Sequence, residues 1–302
     1  MPAGIMVSGS ISNALSRDIS KFFFDDYVRQ DAEHDKVAHF STADGNYDKR
    51  GVGSGLGGLV DTPEGEPLVW NTYKQGSTKT VYFTPIALGV QVTEVAYDDD
   101  RQGIVKQIPS QLAKGAAYTK EVKFWDLLNS GFVTTVRTGI DGAALFSAAH
   151  PKIDFATNGV NNATAAALAE STLTAAIDTF EALTNHKGLP IKVKPDLLLI
   201  PWQLKWVAKR LLLSELRPGF ADNDTNVLKD EGIRYMVCHY LTSATAWFLA
   251  SSKEHDLNFI WRKKISMKTG DDINTGNALF KISGRMTCDF WDWIGIYGNA
   301  GA

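Results

Sequence analysis

Four groups of residues in this 302-residue chain have types and spacings that could do chemistry. The first is the glycine run Gly51-x-Gly53-x-Gly55-x-Gly57-Gly58, dense enough to suggest a loop that cradles phosphate. Such a loop needs Gly-Lys-Ser/Thr opening a helix, or a strand before the glycines and a helix after them. Neither context is present, so the run reads as a hinge with little regular structure. The second group, Asp222, Asp224 and Asn226, has the spacing of the first three ligands of a calcium loop. Its sixth position is Val227, where a sharp turn needs glycine, and its twelfth is Ile233, where a bidentate Glu is required. Asx-turn chemistry explains that run better.

The third group is the six histidines, His34, His39, His150, His186, His239 and His255. None stands in an HxxxH or HExxH spacing, so no metal site is expected. Ser147 and His150 share a loop, but no GxSxG elbow presents the serine as a nucleophile. An enzyme whose site is assembled from dispersed residues, such as a hydrolase using His150 and a remote carboxylate, is the alternative that such a sequence can hide. The fourth group is Trp202 and Trp206 with Lys205, Lys209 and Arg210, which could stack bases beside a cationic face. Helical spacing favours a blander reading, the core edge and solvated face of one helix. Arg262, Lys263 and Lys264 read as a charged strand end or a subunit contact. No catalytic residue, cofactor or metal is assigned.

Composition narrows the class further. Hydrophobic residues make up 44% and charged residues 22%, as in ordinary globular chains. A net charge of -3 supplies no basic field for gripping DNA irrespective of sequence. The two cysteines, Cys238 and Cys288, lack any CxxC spacing and read as reduced thiols of a cytoplasmic protein. No apolar run is long enough to span a membrane, and the first residues do not resemble a signal peptide.

The elements that must position these groups are those of an α+β chain. Ser20 to Val37 can hold a helix with Phe22, Phe23, Tyr27 and Val28 on its apolar side. From Pro67 to Glu94 the pattern has period two, through Leu68, Trp70, Thr72, Val81, Phe83, Ile86, Leu88, Val90 and Val92, which predicts a hairpin with a turn at Gly76–Ser77. That hairpin reads either as part of a mixed sheet or as an arm reaching over a neighbouring subunit. Asp98 to Asp100 open a helix carrying Ile104, Ile108, Leu112, Ala116, Val122, Trp125 and Leu128, with Pro109 inside it and Gly131 at its stop. A sheet-like stretch is expected around Phe132 to Thr138. Ser171 is expected to cap a helix with the stripe Leu173, Ala176, Ile177, Phe180 and Leu183, closed by His186, Lys187, Gly188 and Pro190. Leu197 to Ile200 between two prolines is wholly apolar and predicts a strand buried on both faces. A helix striped by Leu204, Val207, Ala208, Leu211 and Leu212 follows it. Beyond Ile233 the chain is strand-rich, with strands expected at Ile233–Tyr240, Ala246–Ala250, Leu257–Trp261, Leu279–Ile282 and Phe290–Tyr297.

This order of elements, with the segments LFSAAHP (Leu145–Pro151), Leu173–Pro201 ending PDLLLIP, AWFL (Ala246–Leu249) and Arg285…Phe290-x-Asp292-Trp293 with Gly295, resembles the major capsid proteins of tailed phages. The likeness covers nearly the whole chain and is strongest toward the branch of the Mu-like major head subunit. It implies the HK97-like fold: an N-terminal arm (1–60), an extended E-loop hairpin (61–98), a P domain (99–188 and 269–302) with its spine helix (99–130), and an A domain (189–268). It further implies a structural subunit, not an enzyme, that self-assembles into hexamers and pentamers of an icosahedral head enclosing double-stranded DNA, in the virion capsid. Implied partners are other copies of the chain, scaffolding and portal proteins, a decoration protein, and packaged DNA bound without sequence specificity; no membrane is implied. Because no long charged N-terminal extension stands in as a fused scaffold, the scaffold would be a separate protein or the chain would already be processed. Residues expected at inter-subunit contacts are Trp70, Tyr73, Lys74, Lys79 and Tyr82 of the hairpin, with Phe22 and Phe23 of the arm. The covalent cross-link known in the type member is not carried over. A compartment shell of the encapsulin kind and a tail or baseplate protein are the structural alternatives.

Overall fold

The structure, a computed structural model, describes residues 21, 23–93, 95–96, 99, 103–152, 159–185, 187–216, 225–272, 275 and 277–302. After a helix at 23–29 (α1) and a 3-10 turn at His34–Lys36, strands β1 (His39–Thr42), β2 (Tyr47–Gly53), β3 (Gln75–Tyr82) and β4 (Thr84–Val92) lead into helix α2 (Ile104–Asn129). Then come β5 (Ala163–Thr164), α3 (Glu170–Glu181), β6 (Leu197–Pro201), α4 (Lys205–Leu213), β7 (Arg234–Cys238), β8 (Trp247–Ala250), β9 (Asn258–Asp271), β10 (Ala278–Asp289) and β11 (Ile296–Asn299). The strands form a five-stranded sheet ordered β5-β11-β8-β6-β7, a four-stranded sheet ordered β1-β9-β10-β4, and a separate two-stranded ribbon of β2 and β3.

The run Leu197–Pro201 lies between β8 and β7 in the five-stranded sheet, and every one of its residues is buried. Alternation along it serves two cores: Leu197 and Leu199 face the first, Leu198 and Ile200 the second. Its neighbour β8 does the same, with Phe248 and Ala250 on the first side and Trp247 and Leu249 on the other. The second side is covered by the expected stripe of α3 (Leu173, Ala176, Ile177, Phe180) and by Ala208, Leu211 and Leu212 of α4. The cap of α3 is Ala169 and not Ser171; its N–H donates to the Thr172 hydroxyl at 2.9 Å. A serine is not needed where the side chain at the third helical position reaches back to the cap.

The first core is closed by the end of α2, through Phe124, Trp125, Leu127 and Leu128. Earlier turns of α2, at Leu112, Ala113 and Ala116, lie on Phe280 and Ile282 of β10. At about 1.5 Å per residue α2 is a rod of about 39 Å. Pro109 lies within it, near enough to the start that the carbonyl losing its donor belongs to the first turn. The stretch 132–138 forms turns where a strand was expected, since its one-sided apolar residues find no partner strand. Strands β9 and β10 run longer than expected, because their polar residues face outward and the ladder continues past the apolar ones. Arg262, Lys263 and Lys264 therefore lie within β9 and not at its end.

The segment before β1 is held by charge. Buried Glu121 on α2 accepts the Trp125 indole N–H at 2.8 Å and the His34 backbone N–H at 3.2 Å, and its other oxygen meets His34 Nδ1 at 2.7 Å. Burial alone would push its carboxyl up; the hydrogen bonds and charge of His34, with the indole N–H, outweigh burial and hold it below the ordinary glutamate range. Nearby, Glu33 accepts the backbone N–H of His239 at 2.9 Å and pairs with its ring. His255 stacks on His39 with ring centroids 4.3 Å apart, and burial followed by the neighbouring His39 pushes its pKa down to about 4.

Two outcomes follow. Glu121→Ala strands three buried donors and is expected to cost about 2–4 kcal/mol in urea unfolding; a loss under about 0.5 kcal/mol would contradict this role. For His255, the unfolded chain takes up a proton that the folded chain resists, so its stabilising contribution is present above the ordinary histidine value of about 6.5 and is lost as pH falls toward about 4. His255→Asn should flatten the pH dependence of the denaturation midpoint across that window, and an unchanged profile would refute the assignment.

Candidate functional site

The ribbon of β2 and β3 carries a connecting segment whose large apolar residues stand exposed. Its strands pair Tyr47 with Tyr82, Asp48 with Val81, Lys49 with Thr80 and Arg50 with Lys79. The segment joining them, 54–74, has no helix or strand and exposes Leu56, Leu59, Val60, Leu68, Val69, Trp70 and Tyr73. Trp70 is 89% exposed. The strand pairing therefore differs from the expected hairpin. The alternating residues at 68–73 lie in the connecting segment, and the glycine run supplies part of the partner strand. The glycines there are places of close approach and not a hinge alone. A Cβ on Gly53 would lie 1.7 Å from the Tyr73 hydroxyl, so a side chain there would push that exposed ring aside. Gly55 turns the chain with φ of 69°, and Ser54 ties the mouth of the segment by accepting the Lys74 N–H at 3.0 Å.

Where the ribbon meets the rest of the subunit, it is fixed firmly. Val81 and Phe83 pack with Ile140, Ile260 and Trp291 in a small core of their own. Lys79 Nζ donates to Asp289 Oδ1 at 2.7 Å and to the Phe290 carbonyl at 2.6 Å, and lies 4.5 Å from the Phe290 ring centroid. Burial lowers the pKa of this lysine, and the Asp289 carboxylate opposes that shift. Arg50 covers the Trp291 ring at 4.8 Å, and Arg285 reaches Asn46 at 2.8 Å. An apolar segment on a rigid base can bind another surface without losing the entropy of a free tether.

The expected contact residues separate accordingly. Trp70, Tyr73, Lys74 and Tyr82 are exposed on the ribbon, and Tyr82 stands beside Tyr47 on its outer face. Lys79 is taken up by Asp289 in its own chain, and Phe23 is enclosed beneath α2, so neither side chain is offered to a neighbour. Phe22 lies outside the described residues. So do Asp222, Asp224 and His186; Asn226 is described and is a buried clasp, donating to the Leu211 and Ser214 carbonyls at 2.7 and 3.0 Å.

His150 is also a clasp. Its ring is buried, with Nδ1 2.6 Å from Asp141 Oδ2, Nε2 2.9 Å from Asn162 Oδ1, and Trp293 stacked at 4.5 Å. Asn162 in turn donates to the Leu145 and Ile296 carbonyls at 2.9 and 3.3 Å. Ser147 reaches this network through its backbone N–H, while its hydroxyl turns to the Ala149 carbonyl at 3.4 Å. Serine and histidine are not joined as nucleophile and base. Trp202 and Trp206, expected at a core edge, instead stand 59% and 66% exposed, because α4 turns Ala208, Leu211 and Leu212 inward.

The architecture is then an anchored ribbon, a long helix lying on one sheet, and a second sheet covered by two helices. A family model described as phage capsid protein matches residues 77–299, and the chain belongs to that family. None of the curated proteins matches the sequence. Among solved structures, the capsid of a native GTA particle matches with a TM-score of 0.61 at 12% identity, over 90% of each chain. The capsid of bacteriophage JBD30, decorated with minor capsid protein trimers, matches at 0.57 and 15%, over 79% of this chain and 100% of that one. A virus-like particle from Pyrococcus furiosus matches at 0.54 and 9%, over 94% and 98%. The fold is the HK97-like capsid fold, and the protein is a structural shell subunit of the phage head.

The anchor has a measurable strength. Lys79→Ala and Asp289→Ala, singly and together, should give a coupling of about 1.5–3 kcal/mol in urea unfolding and faster amide exchange in β3. A coupling within about 0.5 kcal/mol of zero would show that the ribbon base does not depend on this pair.

Proposed function

We propose that the chain assembles into the hexamers and pentamers of an icosahedral phage head enclosing double-stranded DNA, with the β2–β3 ribbon as the extended loop laid over a neighbouring subunit. The observation that carries this reading is the exposed apolar segment 54–74 on a ribbon pinned by Lys79 and Asp289. A monomer rarely leaves such a surface in water, and a neighbouring copy removes the cost. In this reading the N-terminal arm precedes the ribbon, α2 with the four-stranded sheet is the P domain, and the five-stranded sheet with α3 and α4 is the core of the A domain. The chain acts as a building block and not as an enzyme. Its net charge of -3 suits a wall that encloses DNA without gripping it. A scaffolding protein and a portal are the partners expected for such a shell, with a decoration protein as an optional addition to its surface.

Electron microscopy of the expressed chain, alone and with its scaffold, tests the proposal. Capsomers and closed shells are expected; a stable monomer under both conditions would sink it. Replacing residues 55–73 by a short turn should leave far-UV circular dichroism and the melting transition close to wild type while shells fail to close. If that replacement unfolds the subunit, the segment belongs to the subunit's own core and the ribbon reading is wrong.

A further inference from the structure

Helix α4 carries a second surface that its own chain leaves uncovered. From Trp202, the residues at i+3, i+4, i+7 and i+8 are Lys205, Trp206, Lys209 and Arg210, all exposed. The opposite side of the helix is buried against the five-stranded sheet. The stripe is organised, since Lys205 Nζ and Lys209 Nζ lie 5.5 and 5.9 Å from the Trp206 ring centroid. It continues into exposed Leu213 and Leu216. Two exposed indoles with aliphatic neighbours, rimmed by cations, have the composition of the centre of a protein–protein contact. A groove for nucleic acid calls for a wider field of cations along a phosphate track, and this chain is net negative.

The complementary surface lies on α3. Its outward carboxylates are Asp178 and Glu181, both exposed. Glu181 pairs with a solvent-facing lysine, Lys194, at 3.7 Å. Both helices pack on the same face of the sheet, but α3 lies by β11 and α4 by β7, toward opposite flanks. Opposite charges on opposite flanks suit a head-to-tail contact, in which each copy offers one face forward and the other behind, and repetition closes a ring.

We propose that the Trp202–Arg210 stripe of one copy docks on the acidic outer face of α3 of the next copy within a capsomer. This deepens the shell reading and rests on it. Charge reversal in the full-length chain, expressed with its scaffold, tests the contact. Lys205→Glu/Lys209→Glu should lower the fraction sedimenting as capsomers and shells by about tenfold, and so should Asp178→Lys/Glu181→Lys. All four changes in one chain should restore assembly to within about twofold of wild type, because the contact is remade with its signs exchanged.

Reversed chains that assemble like wild type would overturn the docking contact, as would a four-fold variant that stays unassembled although its subunits melt like wild type. If the lysine reversals leave assembly intact but weaken binding of a DNA duplex, the stripe is a nucleic-acid face and the proposal fails. Should the reversals impair folding, Lys205→Gln/Lys209→Gln gives the milder reading, an expected loss of about threefold, with no loss counting against the contact. If the wild-type chain itself never leaves the monomer, the shell reading fails instead, which separates the two outcomes.

Discussion

The rest of the subunit depends on a strand that has water on neither side. Leu197 to Pro201 is apolar at every position, so the sheet that holds it must be covered twice. One cover consists of α3 and α4; the other is the end of α2 with the Phe146, Phe259 and Phe290 side chains. That requirement places α2 between the two sheets, where its early turns lie on β10 and its last turns under β6. Shortening the apolar run or making it alternate would free one face, and the long helix would lose the surface that orients it.

With the two cores set, the remaining joints are polar, and each ties segments far apart in sequence. Glu121 gathers His34 and Trp125, Asp289 gathers Lys79, Asn162 gathers His150 and the Ile296 carbonyl, and Asn226 closes the return from α4. Apolar burial alone tolerates slippage, whereas a buried donor that loses its acceptor costs about 1–3 kcal/mol of a net stability of about 5–15 kcal/mol. These clasps therefore fix where the N-terminal segment, the ribbon and the loop after α4 leave the body. A shell built from one repeated contact needs those exits to be reproducible more than it needs extra stability.

What could be read from the sequence follows the same division. The stripes of α3 and α4, the doubly buried strand, the long helix and the strand-rich C-terminal part all came from periodicity, because each buries one face in its own chain. The ribbon was misplaced because its period-two residues at 68–73 face away from that core, and because Gly51 and Gly53 disguise a strand as a flexible run. Lys79 looked like a contact residue because a sequence cannot show Asp289 across the sheet. The clasps were illegible for the same reason: a histidine beside a distant carboxylate has no spacing signature. Helical spacing put Trp202 and Trp206 at a core edge, although Ala208, Leu211 and Leu212 are the residues that face inward.

The misplaced ribbon segment and the two tryptophans at α4 share a physical origin. Sequence patterns report burial within one chain, and the residues that broke the patterns are those whose burial, in the shell reading, comes from another copy. The exposed tryptophans of the ribbon and of α4 occupy positions where a self-sufficient monomer would carry polar side chains. A tryptophan on an otherwise solvated face contributes nothing to the fold that bears it and adds a liability to aggregate. Its presence three times, once in the connecting segment of an anchored ribbon and twice within a cationic stripe, is explained if assembly and not folding determines those residues. The molecule then has two sets of hydrophobic contacts, one completed when the subunit folds and one left for its neighbours.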